Sequence, residues 1–166
     1  MSTNDNLSAA FAGESQANRK YLAFAKAAEQ ENLPNIARLF RAAAEAETVH
    51  ALAHLGVMGG IGDTKENLQA AIEGEGYEYQ SMYPKFVEEA KKEDNKGAVM
   101  SFSNAMAVEK IHHDLYGRAL EQLKAGRDVT GDAIFVCPVC GNTVYRTAPD
   151  RCPICGTEGK KFMNIK

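Results

Sequence analysis

Four stretches of this chain space apolar residues for a helix face and then set acids on that same face, a conflict that narrows the possible folds sharply. The stripes are Leu7, Phe11, Glu14, Asn18, Tyr21, Ala25; Ile36, Phe40, Ala43, Glu47, His50, His54, Val57; Leu68, Ile72, Glu75, Tyr79, Met82, Phe86; and Phe102, Ala105, Glu109, His112, Tyr116, Ala119, Leu123. Glu78 follows Glu75 by three residues. Punctuation predicts four long helices. The first runs from about Leu7 to Gln30, and Pro34 suits the first turn of the second, which fades at Gly56, Gly59 and Gly60. Asp63 and Thr64 offer caps for a third, continuing to about Lys92 with Pro84 inside it, and a fourth runs from about Lys96 to Leu123.

Burying an ionised carboxylate without a partner costs several kcal/mol, and few Lys or Arg share these faces to neutralise the acids. A cation inside the protein resolves the conflict. Glu47-x-x-His50 and Glu109-x-x-His112 each put a carboxylate and an imidazole one turn apart, within reach of a common ion. With Glu14 and Glu75 the set resembles that of ferritin-like carboxylate proteins, where two helices give one Glu each and two give Glu-x-x-His. Mixed oxygen and imidazole ligands suit iron, with manganese the close competitor. A weak repeat supports the grouping: Gly13-Glu14 and Gly74-Glu75 precede their Glu-x-x-His motifs at nearly equal spacing, as in a duplicated hairpin, and Glu78 breaks the symmetry. His54 reads as a packed histidine and His113 points off the stripe, so neither joins the ligand set.

From Val129 onward the texture changes to Gly, Pro, Cys and short β-prone pieces such as Ala133–Val136 and Thr143–Tyr145. All four cysteines lie here, as Cys137-Pro-Val-Cys140-Gly141 and Cys152-Pro-Ile-Cys155-Gly156. Such a segment is too short to fold on apolar burial alone, and four thiolates make a closed tetrahedral site for which zinc and iron both fit. A neighbouring redox-capable ion pair has use for a one-electron iron relay, which favours iron. The expected organisation is a helical domain over residues 1–128 and a four-cysteine domain over residues 129–166. The chain has 166 residues, 45% hydrophobic, with 19 basic and 22 acidic side chains, which argues against disorder and against a nucleic-acid surface. No apolar run approaches the ~20 residues of a membrane span, and the polar start lacks the pattern of a secretory signal, so a cytoplasmic, reducing location is expected.

These features together resemble the rubrerythrin family. The matching segments are Ala12–Ala17, Glu47-Thr48-Val49-His50, Glu73-Gly74-Glu75 with Glu78, Met82-Tyr83-Pro84, Glu109-Lys110-Ile111-His112 and both cysteine knuckles. The resemblance implies a mainly α fold, a ferritin-like four-helix bundle followed by a small rubredoxin-like domain with short strands. It implies two iron ions in the carboxylate/His site and one in the four-cysteine site, with zinc or manganese as possible substitutes. The implied activity is a non-haem peroxidase that reduces hydrogen peroxide to water in oxidative-stress defence, fed by a donor such as a rubredoxin or an NAD(P)H-dependent reductase. By motif, Glu47 and Glu109 resemble bridging ligands, Glu14 and Glu75 terminal ones, and His112 a fixed imidazole. Glu78 and His50 resemble a pair that exchanges on one iron with its oxidation state, and Tyr21 and Tyr83 resemble tyrosines that hydrogen-bond the ligand glutamates. The same ligands would serve a ferroxidase or oxidase using dioxygen, or a non-enzymatic iron-binding electron carrier.

Chain length constrains assembly. A bundle of this type runs its second and third helices parallel, so the connection after Met58 would have to span roughly 29 Å, counting rises from His50 and Glu75. Met58 to Thr64 reaches only about 20 Å when extended. Either the two hairpins pack antiparallel within one chain or each completes its bundle with a partner chain; the expectation is the helix-swapped homodimer.

Overall fold

A computed structural model describes residues 2–166. Its chain is mainly helical, with α1 (Thr3–Gln30), α2 (Pro34–Val57), α3 (Thr64–Tyr77), α4 (Tyr83–Lys92) and α5 (Lys96–Lys124) preceding three short strands. Backbone contacts gather into two compact units, the first reaching to Gly62 and the second covering Asp63–Lys166.

In the first unit, Ser2 caps α1: its hydroxyl accepts from the Asp5 N–H, and the Asp5 carboxylate accepts from the Ser2 N–H. The chain reverses through Asn32, whose φ of 60° lies in the left-handed region, and Pro34 opens α2. The helix–helix seam is built from small residues. Ala25, Ala28, Ala37, Ala44 and Ala51 are buried, and Phe40 closes over the end of the row. Tyr21, Phe24 and Phe40 form an aromatic group with centroids 5.5 to 6.2 Å apart. Two helices bury only one seam, and Leu39, Val49, Leu52 and Val57 remain exposed.

The second unit begins at a reciprocal cap. Asp63 accepts from the Glu66 N–H at 2.8 Å while the Glu66 carboxylate accepts from the Asp63 N–H at 2.9 Å. Helices α3 and α4 pack along α5, and Val87, Ala90, Val108 and Leu120 are buried in this unit. Tyr83, Phe86 and Phe102 repeat the aromatic group of the first unit, again at 5.5 to 6.2 Å.

The expected continuous third helix is interrupted. Between α3 and α4 the residues Glu78–Met82 form a π turn, in which the Tyr83 N–H reaches the carbonyl of Glu78. Two causes coincide. Pro84 has no N–H to offer Gln80 and its ring would press on that carbonyl in a regular α-helix. The duplicated segments also differ in length, since Glu14 and Tyr21 are seven residues apart whereas Glu75 and Tyr83 are eight. One extra residue in an α-helix is what a π turn absorbs. It keeps both Glu75 and Tyr83 in phase with their counterparts and places Glu78, which has no counterpart, at the widened turn.

The four-cysteine region is a three-stranded antiparallel sheet ordered β2-β1-β3, with β1 Ile134–Val136, β2 Thr143–Tyr145 and β3 Met163–Ile165. The first two match the β-prone pieces; the third was not expected, because β3 is exposed along its length and carries no alternating apolar pattern. Cys137, Cys152 and Phe162 form its small core. Since Asp63 satisfies an orphan N–H at the start of α3, Asp63→Ala should lower the unfolding free energy by about 1 kcal/mol, read from urea denaturation of the metal-free protein.

Candidate metal centres

In the first unit, α1 contributes Glu14 and α2 contributes Glu47 and His50, with one ligand atom of each lying within 4.8 Å of the others. His50 Nδ1 stands 2.9 Å from Glu47 Oε2. One turn beyond Glu14, Asn18 is buried and its Nδ2 donates to the Ala44 carbonyl at 2.7 Å and to Thr48 Oγ1 at 2.8 Å. Its Oδ1 is buried without a hydrogen-bond partner, an acceptor still available beside the acids. The Tyr21 ring packs on Phe24 and Phe40.

The second unit repeats the cluster with Glu75 from α3 and Glu109 and His112 from α5, again with ligand atoms within 4.8 Å. His112 Nδ1 lies 2.8 Å from Glu109 Oε2 and 3.8 Å from Glu75 Oε1. The electrostatics record an uncompensated negative charge. Burial, then the Glu109 charge, pushes the Glu75 carboxyl up to about 7, and Glu78 adds to the effect. Glu78 itself is raised by burial and then by Glu109. Tyr83 is raised by burial and then by Glu78, Glu109 and Glu75, which keeps its phenol protonated and able to donate. Tyr116 is raised by burial and then by Glu75 and Glu109. Carboxylates crowded this way around an imidazole nitrogen fit a divalent or trivalent cation.

Each unit thus gathers three of the seven expected ligands, and Glu78 stands on the π turn beside the second group. His113 turns away to meet the Tyr79 ring edge-on at 5.4 Å, consistent with its exclusion. Sequence reasoning passed over Thr143. Its Oγ1 lies 2.9 Å from His112 Nε2, and its hydroxyl donates to the Gly141 carbonyl at 3.0 Å. No sequence motif marks it, because the contact depends on how the strand lies against the helix.

The four cysteine sulfurs also fall within 4.8 Å of one another, with Cys137–Cys155 and Cys140–Cys152 separations of 3.6 Å. A disulfide would need about 2.05 Å. Two separations of 3.6 Å with the rest inside 4.8 Å leave room for one ion among the four sulfurs at a thiolate–metal bond length of ~2.3 Å. Gly141 and Gly156 close the knuckles at φ of 84° and 76°, each N–H bonding the carbonyl of its first cysteine at 3.0 and 2.9 Å. Burial alone pushes the Cys155 thiol up, but hydrogen bonds from the Thr157 hydroxyl and backbone and from neighbouring thiols bring it down to about 6. Burial raises Cys140. Of these two thiols, Cys155 is the one ready to release its proton first as metal enters.

The raised Glu75 sets a pH dependence. Folded metal-free protein holds this proton more tightly than the unfolded chain, so the group's contribution is most favourable at or below the ordinary value of 4.5 and declines as pH climbs towards about 7. The melting temperature of the metal-free protein should therefore show a Glu75-dependent fall between pH 5 and 7.5 that Glu75→Gln removes. An unchanged pH profile in that variant would contradict this assignment.

Comparison with known proteins agrees with this donor chemistry. Residues 5–120 match the family model described as Rubrerythrin, and residues 135–163 match Rubrerythrin, rubredoxin-like domain. Rubrerythrin-2 of Clostridium acetobutylicum is 38% identical over 175 residues, covering 97% of this chain and 95% of that protein. Nigerythrin of Nitratidesulfovibrio vulgaris is 36% identical over 168 residues, covering 93% and 82%. Among solved structures, partially reduced and fully reduced, all-ferrous nigerythrin each give a TM-score of 0.59 at 34% identity, covering 99% of this chain and 87% of theirs. With two carboxylate/His groups and four thiolates as candidate iron ligands, and with matches over both its helical and its four-cysteine segments, the chain belongs to the rubrerythrin family.

Proposed function

We propose that the protein is a cytoplasmic non-haem diiron peroxidase that reduces hydrogen peroxide to water, with electrons relayed through the four-cysteine iron. The observation that carries this reading is the repetition of a Glu plus Glu-x-x-His group in each helical hairpin, together with a thiolate site on the second. The organisation remains a helical domain over residues 1–128 and a thiolate domain over residues 129–166. When bound, an iron pair would supply two electrons for O–O cleavage, and the four cysteines would hold an iron that passes electrons to it one at a time from the external donor.

Glu47 and Glu109 would bridge the pair, Glu14 and Glu75 would bind one ion each, and His112 would hold the second. Glu78 and His50 would alternate on the first. Charge supports the alternation: four carboxylates balance two ferrous ions, and two ferric ions carry two more positive charges and favour a fifth carboxylate. Neutral His50 suits the reduced state, and its exposed side chain is free to withdraw. Tyr83 keeps its proton beside Glu78, Glu109 and Glu75, so it can donate to a ligand carboxylate. Tyr21 occupies the corresponding place in the first hairpin. A rubredoxin or an NAD(P)H-dependent reductase would be the external donor.

The assembly proposed for this site is the helix-swapped homodimer, in which the first hairpin of one chain meets the second hairpin of a partner. The short connection between α2 and α3 and the apolar residues left exposed on the first hairpin support it. No helix among the described residues is long and apolar enough to cross a membrane.

Two measurements test these points. Stopped-flow mixing of the fully reduced protein should oxidise the iron pair faster with peroxide than with dioxygen; equal rates would favour an oxidase or ferroxidase. Sedimentation of the iron-loaded protein should give a dimer, whereas a monodisperse monomer retaining both irons of the pair would defeat the swapped assembly.

A further inference from the structure

Beyond His112 the last turns of α5 carry a face that the metal centres do not use. Leu115, Arg118, Ala119 and Gln122 stand at positions i, i+3, i+4 and i+7, so they share one side of the helix. The chain leaves α5 through Gly126, whose φ of 72° lies in the left-handed region. Val129, Thr130 and Asp132 then pass along this face, and β2 ends beside it at Tyr145. Between helix, connecting segment and strand end lies a cavity of about 430 Å³. Small-molecule sites occupy roughly 300 to 1,000 Å³.

Leu115, Ala119, Val129 and Tyr145 give the cavity mostly apolar walls, and charge enters at two places. At the first, Asp132 Oδ2 accepts from the Thr130 hydroxyl at 2.7 Å and from Arg146 Nε at 3.1 Å. The Arg146 backbone is fixed there, with a φ of 73° in the left-handed region and its N–H donating to the Ala133 carbonyl at 2.7 Å. Arg146 is thereby paired with Asp132, whose Oδ1 has no partner among the described residues. At the second, the exposed Arg118 side chain has no ion pair or hydrogen bond among the described residues. Two guanidinium groups thus face one carboxylate, and the surplus positive charge is that of Arg118. An unpaired guanidinium is a planar fork of donors matched to a phosphate.

We propose that this cavity binds a nucleoside monophosphate, with the phosphate on Arg118, a ribose hydroxyl donating to Asp132 Oδ1, and the flat base against Tyr145 and the apolar walls. Inorganic phosphate would satisfy Arg118 alone and leave the apolar walls in water. A nucleoside would fill the space and leave Arg118 unpaired. A nucleoside monophosphate joins the anion, the hydrogen donors and the flat ring in one molecule. Because the walls come from both α5 and the segments flanking the four-cysteine sheet, the bound nucleotide would clamp those segments to the helix. Binding is reversible, with no bond made or broken. None of these residues is a candidate metal ligand, so the proposal stands apart from the diiron reading.

Isothermal titration calorimetry of the full-length, iron-loaded protein with adenosine monophosphate tests it, with adenosine and inorganic phosphate as separate titrants. The nucleotide should bind at least tenfold more tightly than either. Arg118→Ala should weaken the nucleotide by about tenfold to a hundredfold, the loss expected for a hydrogen-bonded charge, and leave adenosine unchanged. Ala119→Leu keeps every charge but fills the cavity, and should weaken nucleotide and adenosine alike. The ferric-thiolate absorption of each variant confirms that its knuckles are intact. Iron itself attracts phosphate, and the Arg118 variant separates the two sites: nucleotide binding that survives Arg118→Ala lies elsewhere and overturns the proposal. Inorganic phosphate binding as tightly as the nucleotide, or no nucleotide binding at millimolar concentration, would overturn it as well.

Discussion

Negative charge held on helix faces that must pack is the constraint on which this structure depends. Glu75 and Glu109 share a partly buried site with the His112 imidazole, and burial together with the Glu109 charge pushes the Glu75 carboxyl up to about 7. A cation relieves all of these repulsions at once. Replacing the acids by apolar residues would make a more stable bundle, so their presence is better explained by chemistry than by packing.

The two hairpins solve the same problem with different degrees of freedom. Both use alanine or small apolar seams, both stack a Tyr and two Phe rings, and both end with a Glu and a Glu-x-x-His on one side. The second then departs from the first in three linked ways. An extra residue forms the π turn, the turn carries Glu78, and a strand from the thiolate region anchors His112. The two hairpins therefore differ in how they hold their imidazoles, His50 being exposed and His112 held by a second contact.

Much of this was legible in the sequence for local reasons. Asp63 and Pro34 announced helix starts because capping and N-terminal proline act within one turn. The knuckles were legible because a Cys-x-x-Cys-Gly segment contains its own turn and its own ligands. Glu14, Glu47, Glu75 and Glu109 were legible because an acid in phase with leucine and phenylalanine contradicts the pattern around it. Thr143 was not, since a hydroxyl on a short strand gains meaning only when that strand is laid on α5. The π turn falls between these cases. Its spacing signal, eight residues against seven, was present, but Pro84 alone suggested a kink and not the one-residue insertion that leaves both flanks in phase. Strand β3 was missed because an exposed edge has no burial pattern to read.

The proposed function requires the two ligand groups to serve one pair of coupled ions and not two separate sites. Mössbauer spectroscopy of full-length protein loaded with iron-57 and oxidised with peroxide tests this most directly. A coupled pair gives carboxylate-bound and thiolate-bound iron in a ratio of about 2:1, with the carboxylate-bound ions as a spin-coupled diferric pair that shows no magnetic splitting in weak field. Magnetically isolated ferric ions at the carboxylate sites, or a single such ion per chain, would contradict it.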